Sequence, residues 1–238
     1  MVPVWHGPAP VVVGHRGAPC LARENTPASF AAALAAGASW VELDVRRSVD
    51  GVLVVHHDPV TADGRPLVAR GADALRQLGV WALDEVLRRL PPAAGVDVEV
   101  KNTPGEPDHD ETDAVVAALP SALGDDRDGR PLLVSSFNPR TLAAARERLP
   151  DVPTGLLHTG LQGVDAAAAL ALDLRAQAVC APRDAPGLDA AGVARVHARG
   201  LQVMVWTVDD PRRARRLAAA GVDALCTNDP GRVTAALG

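Results

Sequence analysis

Seven side chains able to do acid–base, metal or phosphate chemistry stand at the ends of short β-branched runs. His15 and Arg16 follow VVVG, Glu42 and Asp44 lie two apart in WVELDV, His57 closes GVLVVHH, and Glu99 and Lys101 lie two apart in VDVEVK. Residues two apart on an extended strand share a face, so Glu42 points the way Asp44 does, and Glu99 the way Lys101 does. Three hard oxygen donors without a cysteine suit Mg2+ or Ca2+ better than Zn2+. Two histidines titrating near neutrality can serve as base and acid, and Arg16 with Lys101 can hold an anionic phosphate. The combination points to phosphodiester cleavage. A solvated carboxylate face is the plainer reading of Glu42 and Asp44, but their strand opens with Trp40-Val41, and unpaired acids in an interior are costly. A cation removes that cost. Lys101 is the one lysine of a chain that otherwise uses arginine, which marks it as more than an ordinary ion-pair partner of Glu99.

These residues need a scaffold that brings strand ends together. Eight strand candidates run at 11–14, 40–45, 96–101, 132–137, 154–158, 178–182, 203–208 and 223–228. Helical stretches fall between them near 83–90, 111–119, 139–149, 164–174, 188–199 and 211–220, and a first helix is capped by Thr26 with Pro27 at its first position. Strand–helix alternation over 238 residues fits an α/β fold, the (β/α)8 TIM barrel, better than an open sheet, and barrel active sites lie where the C-terminal strand ends converge. Trp206-Thr207 and Asn228 end the last two strands and join the same mouth. One extra strand, 51–57, follows 40–45 too closely for a crossover helix and must return antiparallel. A turn at Ser48-Val49-Asp50-Gly51 places His57 near Glu42 and Asp44 near Val55.

Eight ordered pieces, GHRG, ENTPASF, VELDV, DGVLVVHHDP, EVK, SSF, VWTV and TNDP, spread from about Val12 to Pro230, resemble the glycerophosphodiester phosphodiesterase family. The resemblance implies a (β/α)8 barrel, a divalent metal (Mg2+ or Ca2+) as cofactor, and hydrolysis of glycerophosphodiesters to glycerol 3-phosphate and an alcohol. Residue by residue it implies His15 and His57 as the acid/base pair and Glu42, Asp44 and Glu99 as metal ligands. Arg16 and Lys101 would then hold the phosphate, with Trp206 beside the glycerol. After HHDP the chain carries VTADGRPLVARG where family members commonly have an Arg-Thr-containing stretch. Only about 25 residues separate Asp58 from the helix at Leu83, too few for a sizeable capping insertion.

Composition narrows the alternatives. A formal charge of -5 and 3% aromatics without tyrosine give neither the basic footprint nor the stacking platform of a nucleic-acid binder. Three dispersed cysteines suggest a reducing compartment, and no leader-like or membrane-spanning run is present, so one barrel domain, 1–238, is expected in the cytoplasm. His56 should face away from His57. Asn25 and Glu24 read as loop residues, His6, His109, His158 and His197 as surface or packing residues, and the Arg212–Arg216 run as a solvated helix face. A lysophospholipase D acting on lipid diesters would need an apolar groove, which the short stretch after Asp58 does not supply. A non-catalytic phosphoester-binding barrel would lack a histidine or an acid, and none is missing. A His-ligated amidohydrolase wants H-x-H on strand one, where this chain has His15-Arg16-Gly17.

Overall fold

The computed structural model describes residues 3–6, 10–124 and 129–238, so the leader-free reading of the first ten residues falls partly outside it. Among the described residues, the strands are β1 (Val11–Gly14), β2 (Trp40–Arg47), β3 (Leu53–Val55), β4 (Trp81–Ala82), β5 (Gly95–Val100), β6 (Leu132–Ser136), β7 (Thr154–Leu157), β8 (Ala178–Pro182), β9 (Gln202–Trp206) and β10 (Ala224–Thr227). β1, β2 and β5 to β10 pair in parallel, and β1 bonds both β10 and β2, which closes the ring. The helices are α1 (Pro27–Ala35), α2 (Ala72–Gln77), α3 (Leu83–Leu87), α4 (Ala114–Leu123), α5 (Pro139–Arg148), α6 (Gly163–Asp173), α7 (Ala190–His197), α8 (Pro211–Ala220) and α9 (Pro230–Leu237). The chain is a (β/α)8 barrel with β3 and β4 bonded outside the ring. No described helix is long and apolar enough to cross a membrane.

The strands alternate their faces. Outward residues such as Val41, Leu43, Val96, Val98 and Val134 join the main core under the helices. Inward residues fill the barrel in two zones: an apolar one around Trp5, Trp40, Leu133, Met204 and Cys226, and a polar one above it. Gly95 belongs to the apolar zone for a steric reason, since a Cβ there would stand 2.2 Å from the Trp40 ring. At the mouth four helices share one device. Thr26, Asn138, Asp210 and Asp229 cap α1, α5, α8 and α9 through their side chains, and each cap is followed by a proline. Cap oxygens satisfy orphan N–H groups and proline presets φ, so each loop ends at a defined residue.

The β2–β3 hairpin forms, one position out of step with expectation: Val45, not Asp44, faces Val55. The turn closes between Ser48 and Val52, where Ser48 N–H donates to Val52 O and Val52 N–H to Ser48 Oγ. His56 N–H donates to Asp44 O at 2.9 Å, so His56 rather than Val55 stands across from Asp44. His57 reaches the cavity because the chain leaves the ladder after Val55. Its carbonyl is held by Arg46 Nε at 2.7 Å. The stretch after Asp58 is built rather than loose, with a 3-10 turn (Leu67–Ala69), α2 and β4 around a small core of Val54, Leu67, Leu75 and Val80.

Candidate active site

A cavity of about 140 Å3 opens at the C-terminal strand ends, and His15, Arg16, Glu42, His57, Glu99, Lys101 and Trp206 line it. Asp44, fully buried, completes the acidic set: one oxygen from each of Glu42, Asp44 and Glu99 lies within 4.8 Å of the others. The spacing follows from the sheet. β2 and β5 are neighbours in register, Asp44 facing Glu99 and Glu42 facing Asp97, so the two-residue period stacks the acids on one inner wall.

Charges on that wall are interlocked. Lys101 Nζ lies 2.9 Å from Asp44 Oδ1 and also donates to Glu99 Oε1, while Arg16 Nε lies 3.2 Å from Asp44 Oδ2. Burial raises the Asp44 pKa, but Lys101 and then Arg16 outweigh it and bring it down to about 2. Glu42 is pushed well up by burial and then by Asp44, and Glu99 rises to about 7 by burial and the same neighbour. The wall holds more carboxylate than its two cations neutralise. Glu42 Oε1 is buried without a hydrogen-bond partner. Three clustered oxygen donors, one of them orphaned, fit a hard divalent cation.

The sequence undervalued several supports. Asn25 Nδ2 donates to Asp44 Oδ2 at 2.7 Å, so this loop residue fixes a carboxylate of the site. Arg16 adopts a left-handed φ of 51°, and its N–H donates to Glu42 Oε2 at 2.8 Å; a non-glycine residue there is strained, and such strain collects at functional sites. Glu24 accepts from Arg16 Nη1 at 3.0 Å. Asp97, absent from the expected set, faces the cavity beside Glu99 and accepts from Ser135 Oγ at 2.7 Å; burial raises it to about 8. Its alternation with Glu99 in VDVEVK was the available signal.

The histidines differ in their partners. His15 Nδ1 meets Asn228 Oδ1 at 2.8 Å, and burial lowers its pKa against the opposing effect of that bond. His57 Nδ1 meets Asp58 Oδ1 at 2.7 Å. His56 approaches Val60 O and lies outside the cavity lining, as expected. His197 pairs with Asp223 away from the mouth. His158, by contrast, follows β7 and lines a second groove of about 250 Å3, which shares Phe137 and Leu157 with the cavity and adds Pro139 and Leu161. Trp206 packs edge-on against Phe137, centroids 5.6 Å apart, and its Nε1 donates to Cys180 O.

Comparison with known proteins agrees with this geometry. Residues 15–232 match the sequence model of the glycerophosphoryl diester phosphodiesterase family. A Bacillus subtilis glycerophosphodiester phosphodiesterase is 27% identical over 92% of this chain and 84% of its own, and one from Caldanaerobacter subterraneus 28% identical over 92% and 94%. Among solved structures, an Oleispira antarctica phosphodiesterase in complex with the product sn-glycerol-3-phosphate superimposes with a TM-score of 0.80 at 25% identity, covering 96% of each chain. The Thermotoga maritima glycerophosphodiester phosphodiesterase shares the fold with the same score at 23% identity, covering 97% of this chain and 99% of its own.

Proposed function

Because this chain belongs to the glycerophosphoryl diester phosphodiesterase family, we propose that its cavity hydrolyses glycerophosphodiesters to glycerol 3-phosphate and an alcohol, with a divalent cation, Mg2+ or Ca2+, held by Glu42, Asp44 and Glu99. The single observation that carries the reading is the convergence of that acidic triad, two histidines and two cations in one cavity. The solved relative bound to sn-glycerol-3-phosphate supports the same product.

When bound, the cation would neutralise the carboxylate wall and polarise substrate oxygens. Arg16 and Lys101 border the cavity and stabilise charge that develops on the phosphoryl oxygens. Trp206, propped by Phe137, gives the glycerol a flat apolar wall. His15 serves as base. Its pKa is lowered by burial, which favours the uncharged ring, and Nε2 takes a proton from the water whose oxygen forms the new bond to phosphorus. The P–O bond to the alcohol breaks, and His57 protonates the leaving oxygen.

One observation favours a wider substrate range. The groove beyond Phe137 is walled by Pro139, Leu157 and Leu161, and Leu161 is 91% exposed. The apolar surface missing from the stretch after Asp58 is supplied instead by the loop after β7, along which the acyl chain of a lysophospholipid could lie.

Release of glycerol 3-phosphate from glycerophosphocholine and glycerophosphoglycerol, and of lysophosphatidic acid from a long-chain lysophosphatidylcholine, with and without chelator, tests both readings. Turnover of at least one short diester, lost on chelation and roughly 10²-fold lower in His15→Ala and His57→Ala, is expected. Full activity in metal-free enzyme would overturn the cation assignment, and turnover of the lysolipid alone would make the lipid the substrate.

A further inference from the structure

His15 can act as a base only if its cavity-facing nitrogen carries a lone pair, and the choice of tautomer is made outside the cavity. Asn228 presents its amide to His15 Nδ1 at 2.8 Å and could offer either oxygen or nitrogen there. The far side of the amide decides. Asn228 Nδ2 donates to Asp209 Oδ2 at 2.9 Å, while Asp209 Oδ1 accepts from Asn228 N–H at 2.8 Å and from Thr227 Oγ1 at 2.9 Å. A carboxylate offers acceptors only, so the amide nitrogen must turn toward Asp209 and the amide oxygen toward His15. An acceptor opposite Nδ1 then requires the proton on Nδ1. Nε2 is left unprotonated, with no hydrogen-bond partner among the described residues.

We propose that Asp209 is a positioning residue of this enzyme, which through Asn228 fixes His15 in the Nδ1–H tautomer and so readies Nε2 to accept a proton. The chain of contacts spans the ends of three barrel strands: Asp209 lies beyond β9, Asn228 follows β10 and His15 follows β1, in the order in which these strands neighbour one another. A barrel holds strand ends rigidly, so one carboxylate outside the cavity can dictate a proton's place inside it. His57, on Asp58, has no such intermediary. The catalytic consequence rests on the reading of His15 as base, whereas the tautomer itself does not.

The test uses Asp209→Asn. The introduced amide keeps an oxygen for Asn228 N–H and Thr227 but sets a nitrogen against Asn228 Nδ2. The Asn228 amide is then expected to flip, turn its own nitrogen to His15 and drive the proton to Nε2. Nitrogen-15 NMR of the His15 ring reads this directly: Nδ1–H in the wild type, Nε2–H in the variant. Steady-state kinetics on a glycerophosphodiester should show kcat down roughly 10²-fold, the scale of a lost general base, with KM little changed. The double exchange Asp209→Asn with Asn228→Asp restores the pattern, because the carboxylate it places beside His15 accepts both from the ring and from the introduced amide. It should recover the Nδ1–H tautomer and most of kcat, with the acid limb of the kcat/KM profile moved to higher pH by that new negative charge. A merely structural tie between the loop after β9 and β10 would change stability without moving the ring nitrogens. Wild-type His15 in the Nε2–H form, or an Asp209→Asn variant that keeps both tautomer and kcat, overturns the proposal. An Nδ1–H ring in a wild-type enzyme that hydrolyses no diester would instead count against the phosphodiesterase reading, which keeps the two failures distinct.

Discussion

At the scale of single residues, Lys101 shows how little room the site leaves. Its ammonium lies between Asp44 and Glu99, its side chain 10% exposed. Burial alone would lower its pKa, yet Asp44 and then Glu99 raise it, so the group stays charged. A compact ammonium can aim its donors at any of several oxygens, including those of an arriving phosphate; a guanidinium is larger, planar and committed to a fork. Lys101→Arg is therefore expected to fold normally by circular dichroism and to lose more than about tenfold in kcat/KM, because Arg must either displace Glu99 or intrude on the cavity. Near wild-type hydrolysis at saturating metal would return Lys101 to the rank of an ion-pair partner. The lone-lysine signal was legible in the sequence, as was the set of His15, Arg16, Glu42, Asp44, His57 and Glu99 that converges on one cavity with it. Asn25 and Asp209 were not, because their importance lies in what a side-chain amide or carboxylate faces across the fold, and no local pattern carries that.

At the scale of elements, β2 and β5 act as one unit, with Trp40, Glu42 and Asp44 on one strand beside Gly95, Asp97 and Glu99 on the other. This wall combines an apolar base with stacked acids, and the cost falls on the acid that nothing neutralises. Asp97, fully buried, has its pKa raised from 3.8 to about 8, first by burial. Between those values the folded protein holds a proton that the unfolded chain has released, so in metal-free enzyme this group makes stability fall as pH rises from about 4 through about 8. Glu99, at about 7, acts in the same direction. Asp97→Asn keeps an oxygen for the Ser135 hydroxyl and removes the ionisation. With chelator present, its Tm should exceed that of the wild type by a margin that grows from pH 5 to pH 9. Parallel Tm curves would mean that Asp97 ionises freely in the fold. The same elements show where sequence reading reaches and where it stops. β1 and β8 begin and end where their β-branched runs do, and α1, α5 and α8 begin at their cap–proline pairs, because those signals are local. α2, β4 and α9 went unread: the first two owe their form to the small core around Leu67 and Leu75, whereas α9 opens on its own cap–proline pair, Asp229-Pro230, a local signal that was passed over. The hairpin slipped by one because Ser48 closes its turn through a side-chain bond.

At the scale of the whole molecule, the site is a defect in an otherwise well-filled barrel, and a cation bound there would link its repair to folding. Three carboxylates drawn together by two adjacent strands cannot disperse without opening a closed ring, so their repulsion is stored in the folded state and absent from the unfolded chain. An ion that binds only the folded form stabilises by RT ln(1 + [L]/Kd), about 2.7 kcal/mol at a hundredfold excess over Kd. For a domain of this size that corresponds to roughly 5–10 °C in Tm. Thermal unfolding of chelated enzyme should therefore shift upward on adding Mg2+ or Ca2+, without any substrate present. Glu42→Gln separates the two contributions. Glu42 is buried, its pKa raised by burial and then by Asp44, and one of its oxygens is orphaned, so an isosteric amide relieves repulsion while removing an ionic ligand. The variant should be at least as stable as wild type when metal-free at pH 8, and it should lose most of the metal-induced shift. These opposite signs follow only if Glu42 is harmful to the empty fold and useful to the filled one. A wild type whose Tm ignores both ions, or a Glu42→Gln protein that is less stable than wild type without metal yet keeps the full shift, would place Glu42 among ordinary interior hydrogen-bonding groups and leave the acidic wall without its cation.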